Sequence, residues 1–204
     1  NSNKLIIFSR HKKTNLNTGI FLGQKSNPNI IDKKIPLEIK NIRIDKCISS
    51  PSLRCLETSK LICKKSNISI NNNLKEIDYG KAENLSIDNF KKKYPHIVDM
   101  WNKGNDPKFP GGESIQNVIS RLNKFIQTEL KFTNSELKDN IIIITHNVVL
   151  RCLIGSRFNI KKSNWYKINI NYFDLLEFRL EKNKLRPNIN RIKFVNLFSK
   201  LYFK

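Results

Sequence analysis

The sequence is poor in glycine, proline and cysteine, and it lacks long apolar runs. Seven glycines and seven prolines in 204 residues exclude collagen-like repeats and proline-rich disorder. The longest apolar runs, at residues 5–8 and 141–144, are far shorter than the roughly 20 residues that cross a bilayer. Hydrophobic residues still make up 39% of the chain, which is enough for one core. We therefore expect a single domain over residues 1–204 and no membrane-spanning helix.

The four cysteines form no C-x-x-C pair and are too sparse for a disulfide scaffold. Few and widely spaced cysteines are typical of proteins in a reducing compartment, and we predict a cytoplasmic protein. The chain begins with Asn1 and its single methionine is Met100, so we expect the natural start to lie upstream. A leader in that upstream part stays open.

Acidic residues and alanine are also scarce. Lysine and arginine total 38 against 17 acidic residues, a formal charge of +21, and Ala82 is the only alanine. A basic surface attracts polyanions, so a nucleic acid or an anionic membrane is one interpretation. The alternative is AT-rich coding, because lysine, asparagine and isoleucine dominate the composition. Since the basic residues occur in scattered short runs, we expect no dedicated nucleic-acid surface and no membrane partner.

Short apolar segments alternate with helical patterns along the chain. Four segments predict strands, at residues 4–9, 45–49, 68–70 and 141–145. Four others predict helices, at residues 52–65, 86–101, 114–130 and 147–154. Two edge strands are expected near the end, at residues 166–180 and 189–194. This alternation predicts an α/β domain with a mainly parallel central sheet.

Chemically active side chains follow the predicted strands. Arg10 and His11 end the first strand, and His146 follows the strand at residues 141–145; Arg54 and Glu76 follow the second and third strands. Because ligands bind at the carboxyl edge of such sheets, we expect these side chains to converge. Arginine and imidazole N–H groups bind phosphoryl oxygens, a neutral imidazole can attack phosphorus, and a carboxyl can exchange a proton with the leaving group and water. The set predicts phosphoryl transfer through a phosphohistidine.

Five segments share the order of elements in a known enzyme family. Residues 10–17, R-H-K-K-T-N-L-N, are similar to R-H-G-x-T-x-x-N, and residues 49–58, S-S-P-S-L-R-C-L-E-T, to S-S-P-x-x-R-x-x-x-T. Residues 74–80, L-K-E-I-D-Y-G, are similar to L-x-E-x-x-x-G, residues 110–114 to a P-G-G-E-S turn, and residues 143–147 to V-x-[ST]-H-G. The chain thus resembles the histidine phosphatase superfamily, in its phosphoglycerate mutase-like branch.

The resemblance implies a three-layer α/β/α, phosphoglycerate mutase-like fold with a helical insertion at about residues 84–114. It implies that His11 is the nucleophile and that Glu76 is the general acid and then the base. The phosphoryl oxygens would be held by Arg10, Arg54 and His146. The phosphate and substrate pocket would be lined by Thr14, Asn17, Gly23, Gln24 and Asn147. No metal or other cofactor is implied, since the arginines supply positive charge.

The chain also departs from the family pattern. Lys12 and Asn147 stand where the family has glycine, and Ser26 stands where many relatives carry aspartate. The ammonium of Lys12 is a candidate for a further cation at the pocket. Residues 29–46 are few and include Pro36, so we expect the longer helix of relatives to be truncated or missing.

Three functions stay open at this point. We predict a phosphomonoesterase acting on a small cytosolic phosphate ester. A phosphoglycerate mutase is the alternative, although mutases usually carry a longer insertion with an adjacent arginine pair, whereas Arg121 stands alone here. The third is a non-catalytic phosphate-binding or nucleic-acid-binding protein on the same scaffold, which has no need of Glu76. The substrate and the oligomeric state stay open.

Overall fold

The computed structural model describes residues 5–16, 19–130, 140–181 and 184–188. Within these ranges one six-stranded sheet has the order β3-β2-β4-β1-β5-β6. Its strands are β1 (Ile6–Arg10), β2 (Lys46–Ser49), β3 (Ile68–Ile70), β4 (Ile141–Thr145), β5 (Leu175–Glu181) and β6 (Lys184–Pro187). The strands β1 to β4 pair with one another in parallel. Strand β5 pairs antiparallel with β1 on one side and with β6 on the other. The prediction of a mainly parallel sheet is confirmed.

The helices also follow the sequence pattern closely. They are α1 (Leu37–Lys40), α2 (Leu53–Ile62), α3 (Ile87–Lys93), α4 (Pro95–Asn102), α5 (Ile115–Glu129) and α6 (Asn147–Arg157). Ser86 caps α3 by accepting a hydrogen bond from the backbone N–H of Asn89 at 3.2 Å. The helix expected to be truncated is α1, which has only four residues and follows Pro36 directly. No helix in the described ranges is long and apolar enough to cross a bilayer.

Strand β4 shows why the domain has three layers. All five of its residues are buried, and successive side chains point to opposite faces of the sheet. Ile141 and Ile143 belong to the apolar cluster under α5 and α6, whereas Ile142 and Ile144 belong to the cluster that includes Cys55 of α2. Burying each of these isoleucine side chains stabilises the folded state by about 1.5–3 kcal/mol. The sheet is therefore covered by helices on both faces.

The segment at residues 84–114 contains α3 and α4 and packs on the domain through aromatic rings. Phe90 of α3 stacks on Trp101 of α4, with ring centres 5.3 Å apart and planes at 22°. Phe109 contacts both rings and also the edge of Tyr79, at 4.8 Å. These contacts tie the helical segment to the loop that follows β3.

The C-terminal part differs from its prediction. Residues 166–174 are not a strand: Lys162–Lys167 is a 3₁₀ helix, and β5 begins only at Leu175. The apolar side chains of Trp165 and Ile168 are buried in the core, and the indole N–H of Trp165 donates to the carbonyl of Ile160 at 2.8 Å. Strand β5 is not at the edge but lies between β1 and β6. The strand predicted at residues 189–194 lies outside the described residues.

Candidate active site

His11 lies at the end of β1 and is 2% exposed. Its Nδ1 is 2.7 Å from the carbonyl oxygen of Lys12, and since a carbonyl only accepts, Nδ1 carries the proton. The lone pair is then on Nε2. Burial and, secondly, the positive charge of Arg54 hold the pKa of His11 well below its usual value. The ring is therefore a neutral imidazole of fixed tautomer, which is the form that can attack phosphorus.

His146 follows β4 and faces His11, with ring centres 5.3 Å apart. Its Nε2 is 2.8 Å from the hydroxyl oxygen of Ser50 and 3.5 Å from the sulfur of Cys55. Burial lowers the pKa of His146 and raises the pKa of Cys55 to about 12, so the thiol is uncharged. Ser50 was not among the predicted site residues, although it lies in the S-S-P segment that carried the resemblance.

Two arginines place positive charge beside these rings. Arg54, which is 1% exposed, donates to the carbonyls of Gly23 at 2.8 Å and Ser26 at 3.3 Å. Arg10 donates to the carbonyl of Ile170 at 2.9 Å. The Nε atoms of both arginines are buried and have no hydrogen-bond partner among the described residues. Because an unpaired buried donor costs about 1–3 kcal/mol, these atoms are candidates for contact with a bound anion.

Glu76 lies in the loop after β3, and the residue is 5% exposed. One oxygen accepts from the backbone N–H of Ile77 at 2.9 Å and the other from that of Val148 at 3.3 Å. Burial raises the pKa of Glu76, and the Ile77 N–H and the charge of Arg54 oppose that rise. Glu76 thus keeps its proton to a higher pH than an ordinary glutamate, as a general acid requires.

A partly buried ion pair holds the loop that carries Glu76. The guanidinium of Arg121 contacts both carboxylate oxygens of Glu113, at 2.9 and 3.0 Å. The same guanidinium donates to three backbone carbonyls of the loop, those of Asn73, Lys75 and Glu76, at 2.6–3.1 Å. Bidentate arginine pairs of this kind fix geometry as well as charge. Sequence reasoning identified Arg121 only as a lone arginine and gave no signal of this clamp.

A cavity of about 220 Å³ opens beside Glu76. It is lined by Gly23, Gln24, Asn27, Ser50, Pro51, Ser52, Lys75, Glu76 and His146. The side-chain amide of Gln24 donates to the carbonyl of Glu76 at 2.8 Å. Gly23 has no room for a side chain, because a Cβ there would lie 2.5 Å from Oε2 of Glu83. The sequence placed Gly23, Gln24, Glu76 and His146 at the site, and the structure brings these four together.

The other predicted pocket residues have different places. Thr14 is buried and pairs with Ile30 in an isolated β-bridge, and it is not among the residues lining this cavity. Asn147 is the first residue of α6, and its Oδ1 is buried without a partner in the described part of the chain. Asn17 lies outside the described residues.

Lys12 occupies the family's glycine position without the positive φ that favours glycine. Its backbone N–H donates to the hydroxyl of Thr58 at 2.9 Å, and its ammonium forms an ion pair with Asp32 at 2.7 Å. The ammonium also lies 5.0 Å from the ring centre of Phe173. Its charge is therefore matched by Asp32 and not supplied to the cavity, whose lining does not include Lys12.

Comparison with known proteins decides the family. The sequence pattern described as Histidine phosphatase superfamily (branch 1) matches residues 6–192. The chain belongs to the histidine phosphatase superfamily. A solved structure shares the fold: that of Bacillus stearothermophilus YhfR superposes with a TM-score of 0.76 over 91% of this chain and 95% of that chain, at 19% identity.

Two relatives indicate the range of activity among similar histidine phosphatases. The chain is 32% identical over 57% of its length to a fructose-2,6-bisphosphatase of Saccharomyces cerevisiae, and this match spans 26% of the yeast protein. It is 24% identical to a 2,3-bisphosphoglycerate-dependent phosphoglycerate mutase of Methylobacterium sp., over 74% of this chain and 79% of the mutase. A phosphatase and a mutase thus both occur among the proteins that are similar to this chain.

Proposed function

We propose that the chain is a metal-independent phosphomonoester hydrolase that acts through a phosphohistidine on His11. The observation that carries this proposal is the pair of partnerless buried Nε atoms on Arg10 and Arg54, beside a neutral imidazole. A dianionic phosphoryl group provides acceptors for both N–H groups and relieves their unpaired burial. The two guanidinium charges take the place that a metal ion has in other phosphoryl transfers.

The first step transfers the phosphoryl group to the enzyme. The lone pair on Nε2 of His11 forms a bond to phosphorus while the bond from phosphorus to the ester oxygen breaks in line. Glu76 donates its proton to that oxygen, so the product leaves as a neutral alcohol and Glu76 becomes a carboxylate. Arg10, Arg54 and His146 stabilise the charge on the equatorial oxygens.

The second step restores the enzyme. The Glu76 carboxylate takes a proton from water, and the water oxygen forms a bond to phosphorus as the P–N bond to His11 breaks. Inorganic phosphate leaves, and His11 regains its lone pair and Glu76 its proton. The backbone N–H groups of Ile77 and Val148, which donate to the two oxygens of Glu76, orient its carboxyl for both steps.

Phosphoglycerate mutase activity is the second candidate, and the mutase relative favours it. We prefer the hydrolase because the insertion is compact and Arg121, which lies in α5, is already engaged with Glu113 and the Glu76 loop. A mutase returns its phosphoryl group to the substrate, whereas a hydrolase passes it to water. Isomer formation from a phosphoglycerate without phosphate release would establish the mutase.

The test measures phosphate release from an aryl phosphate between about pH 5 and 7, with EDTA present. Wild type is compared with His11→Ala, Glu76→Gln and the control His96→Ala, which changes an exposed histidine of α4. We expect turnover that resists EDTA, survives His96→Ala and is lost in His11→Ala. Turnover retained by His11→Ala would overturn the proposal, as would folded wild-type protein that releases no phosphate.

A further inference from the structure

The cavity beside Glu76 has a rim that the phosphoryl chemistry does not use. Glu76 and His146 belong to the transfer step described above, and the hydroxyl of Ser50 lies within hydrogen-bond distance of His146. The remaining polar side chains of the lining are those of Gln24, Asn27, Ser52 and Lys75. They lie on the same cavity as the general acid.

The general acid decides which part of a substrate meets this rim. Glu76 must reach the oxygen that leaves phosphorus, so the alcohol part of the ester lies on the Glu76 side of the phosphoryl group. Of the groups assigned to the phosphoryl group, His146 lines this cavity, whereas His11, Arg10 and Arg54 do not. The cavity therefore begins at the phosphoryl group beside His146 and extends on the Glu76 side, where the leaving group lies, so its rim residues are the ones that meet the leaving group.

The rim has more donors than acceptors. Oδ1 of Asn27 accepts from the backbone N–H of Leu53 at 2.7 Å, which leaves the amide N–H₂ of Asn27 for a ligand. The ammonium of Lys75 forms no ion pair or hydrogen bond with the described residues. Glu76 is the single acidic residue of the lining, and both its oxygens accept backbone N–H groups. A leaving group rich in hydrogen-bond acceptors can pair with these free donors, whereas a neutral leaving group leaves the charge of Lys75 without a partner.

Helix α2 adds to the positive potential of the rim. Its N-cap is Ser52, so the N-terminal end of a ten-residue helix lies at the cavity beside Asn27. The aligned peptide dipoles of such a helix favour negative charge at this end. Lys75 approaches from the loop after β3, and together these two elements bring positive potential to the leaving-group side.

We propose that this rim is a subsite for a second anionic group, carried by the leaving group of the substrate, with Lys75 as its charged contact and Asn27 as its hydrogen-bond donor. The substrate class is a phosphate ester whose alcohol part bears a carboxylate or a second phosphate. The proposal rests on the proposed function, since it uses Glu76 to locate the leaving group.

The test uses three substrates with one carbon skeleton. Glycerol 3-phosphate has a neutral end, 3-phosphoglycerate has a carboxylate there, and glycerol 1,3-bisphosphate has a second phosphate. Phosphate release is measured for wild type, for Lys75→Met and for the control Lys92→Met, which removes the charge of an exposed lysine on helix α3. We expect kcat/KM to be about tenfold higher for at least one anionic substrate than for the neutral one, as for a charge-assisted contact.

Lys75→Met should remove most of that preference, chiefly by raising KM for the anionic substrate, and should change kcat/KM for glycerol 3-phosphate much less. Lys92→Met should behave as wild type. The two anionic arms distinguish a carboxylate-selective from a phosphate-selective rim. Equal kcat/KM for all three substrates, or a preference that Lys75→Met and Lys92→Met alter equally, would overturn the subsite while leaving the hydrolase intact. Failure to hydrolyse any ester would instead count against the proposed function.

Discussion

The guanidinium carbon of Arg10 lies 4.0 Å from the centre of the Tyr172 ring. The neighbouring residues hold Arg10 as well: its Nη1 donates to the carbonyl of Ile170 at 2.9 Å, and its own carbonyl accepts from the N–H of Phe173 at 3.0 Å. The Tyr172 ring is also 5.9 Å from the ring of His11. The turn before β5 thus holds Arg10 next to His11.

Tyr172→Ala should therefore weaken hydrolysis while Tyr172→Phe preserves it, because the ring face and not the hydroxyl contacts Arg10. Cation–π contacts are worth about 0.5–2 kcal/mol, so we expect a loss of roughly 2- to 30-fold in kcat/KM for the alanine variant. Steady-state kinetics on an aryl phosphate check this. Equal losses in both variants would assign the effect to the hydroxyl instead.

The clamp of Arg121 and Glu113 should position the general acid. Arg121→Lys keeps the charge but cannot contact both Glu113 oxygens and three carbonyls, so we expect kcat on a phenyl phosphate to fall about tenfold or more. An ester of a strongly acidic phenol, such as 2,4-dinitrophenyl phosphate, needs no proton from Glu76 and should lose much less. Equal losses on both esters would indicate general damage to the fold and contradict the positioning role.

The pH dependence follows from opposite pKa shifts. His11 must be neutral, and because its pKa is lowered it stays neutral to a more acidic pH than an ordinary histidine. Glu76 must be protonated, and because its pKa is raised it stays protonated to a higher pH than an ordinary glutamate. We expect a bell-shaped profile of kcat/KM with a mildly acidic optimum, its acid side set by His11 and its alkaline side by Glu76. In Glu76→Gln, the residual activity on 2,4-dinitrophenyl phosphate should no longer fall on the alkaline side of the pH profile. An unchanged alkaline side would assign that titration to another group.

Inorganic phosphate should stabilise the folded protein through Arg54. At a concentration about 100 times its Kd, a ligand adds about 2.7 kcal/mol, which for a domain of this size raises Tm by roughly 5 to 10 °C. Thermal unfolding with and without phosphate measures the shift, and Arg54→Met should abolish it even if its own Tm is lower. Lys60→Met is the matched control, since it removes an exposed charge from the same helix α2. A shift that both variants lose equally would point to nonspecific binding by the basic surface.

Local patterns were sufficient to predict much of this fold. The four isoleucines of residues 141–144 predicted a strand buried on both faces, because no other element accepts four consecutive β-branched residues so readily. The positions of His11, His146 and Glu76 after their strands predicted one shared edge, because parallel strands end on the same side. Segments whose period matches their burial therefore reveal both their structure and their place in the site.

Only the tertiary structure decided the rest. The apolar residues at 166–170 alternate like a strand, yet Trp165 packs into the core within the 3₁₀ helix Lys162–Lys167, and Ile168 does so directly after it. The irregular segment that follows places Tyr172 against Arg10. The contact of Arg121 with the Glu76 loop and the place of Lys75 on the cavity beside Asn27 join residues far apart in the chain. Periodicity records which face of an element is buried, but it carries no information on which distant residue meets that face. The candidate catalytic groups could thus be named from the sequence, because each follows a strand, whereas the distant side chains that contact them could not.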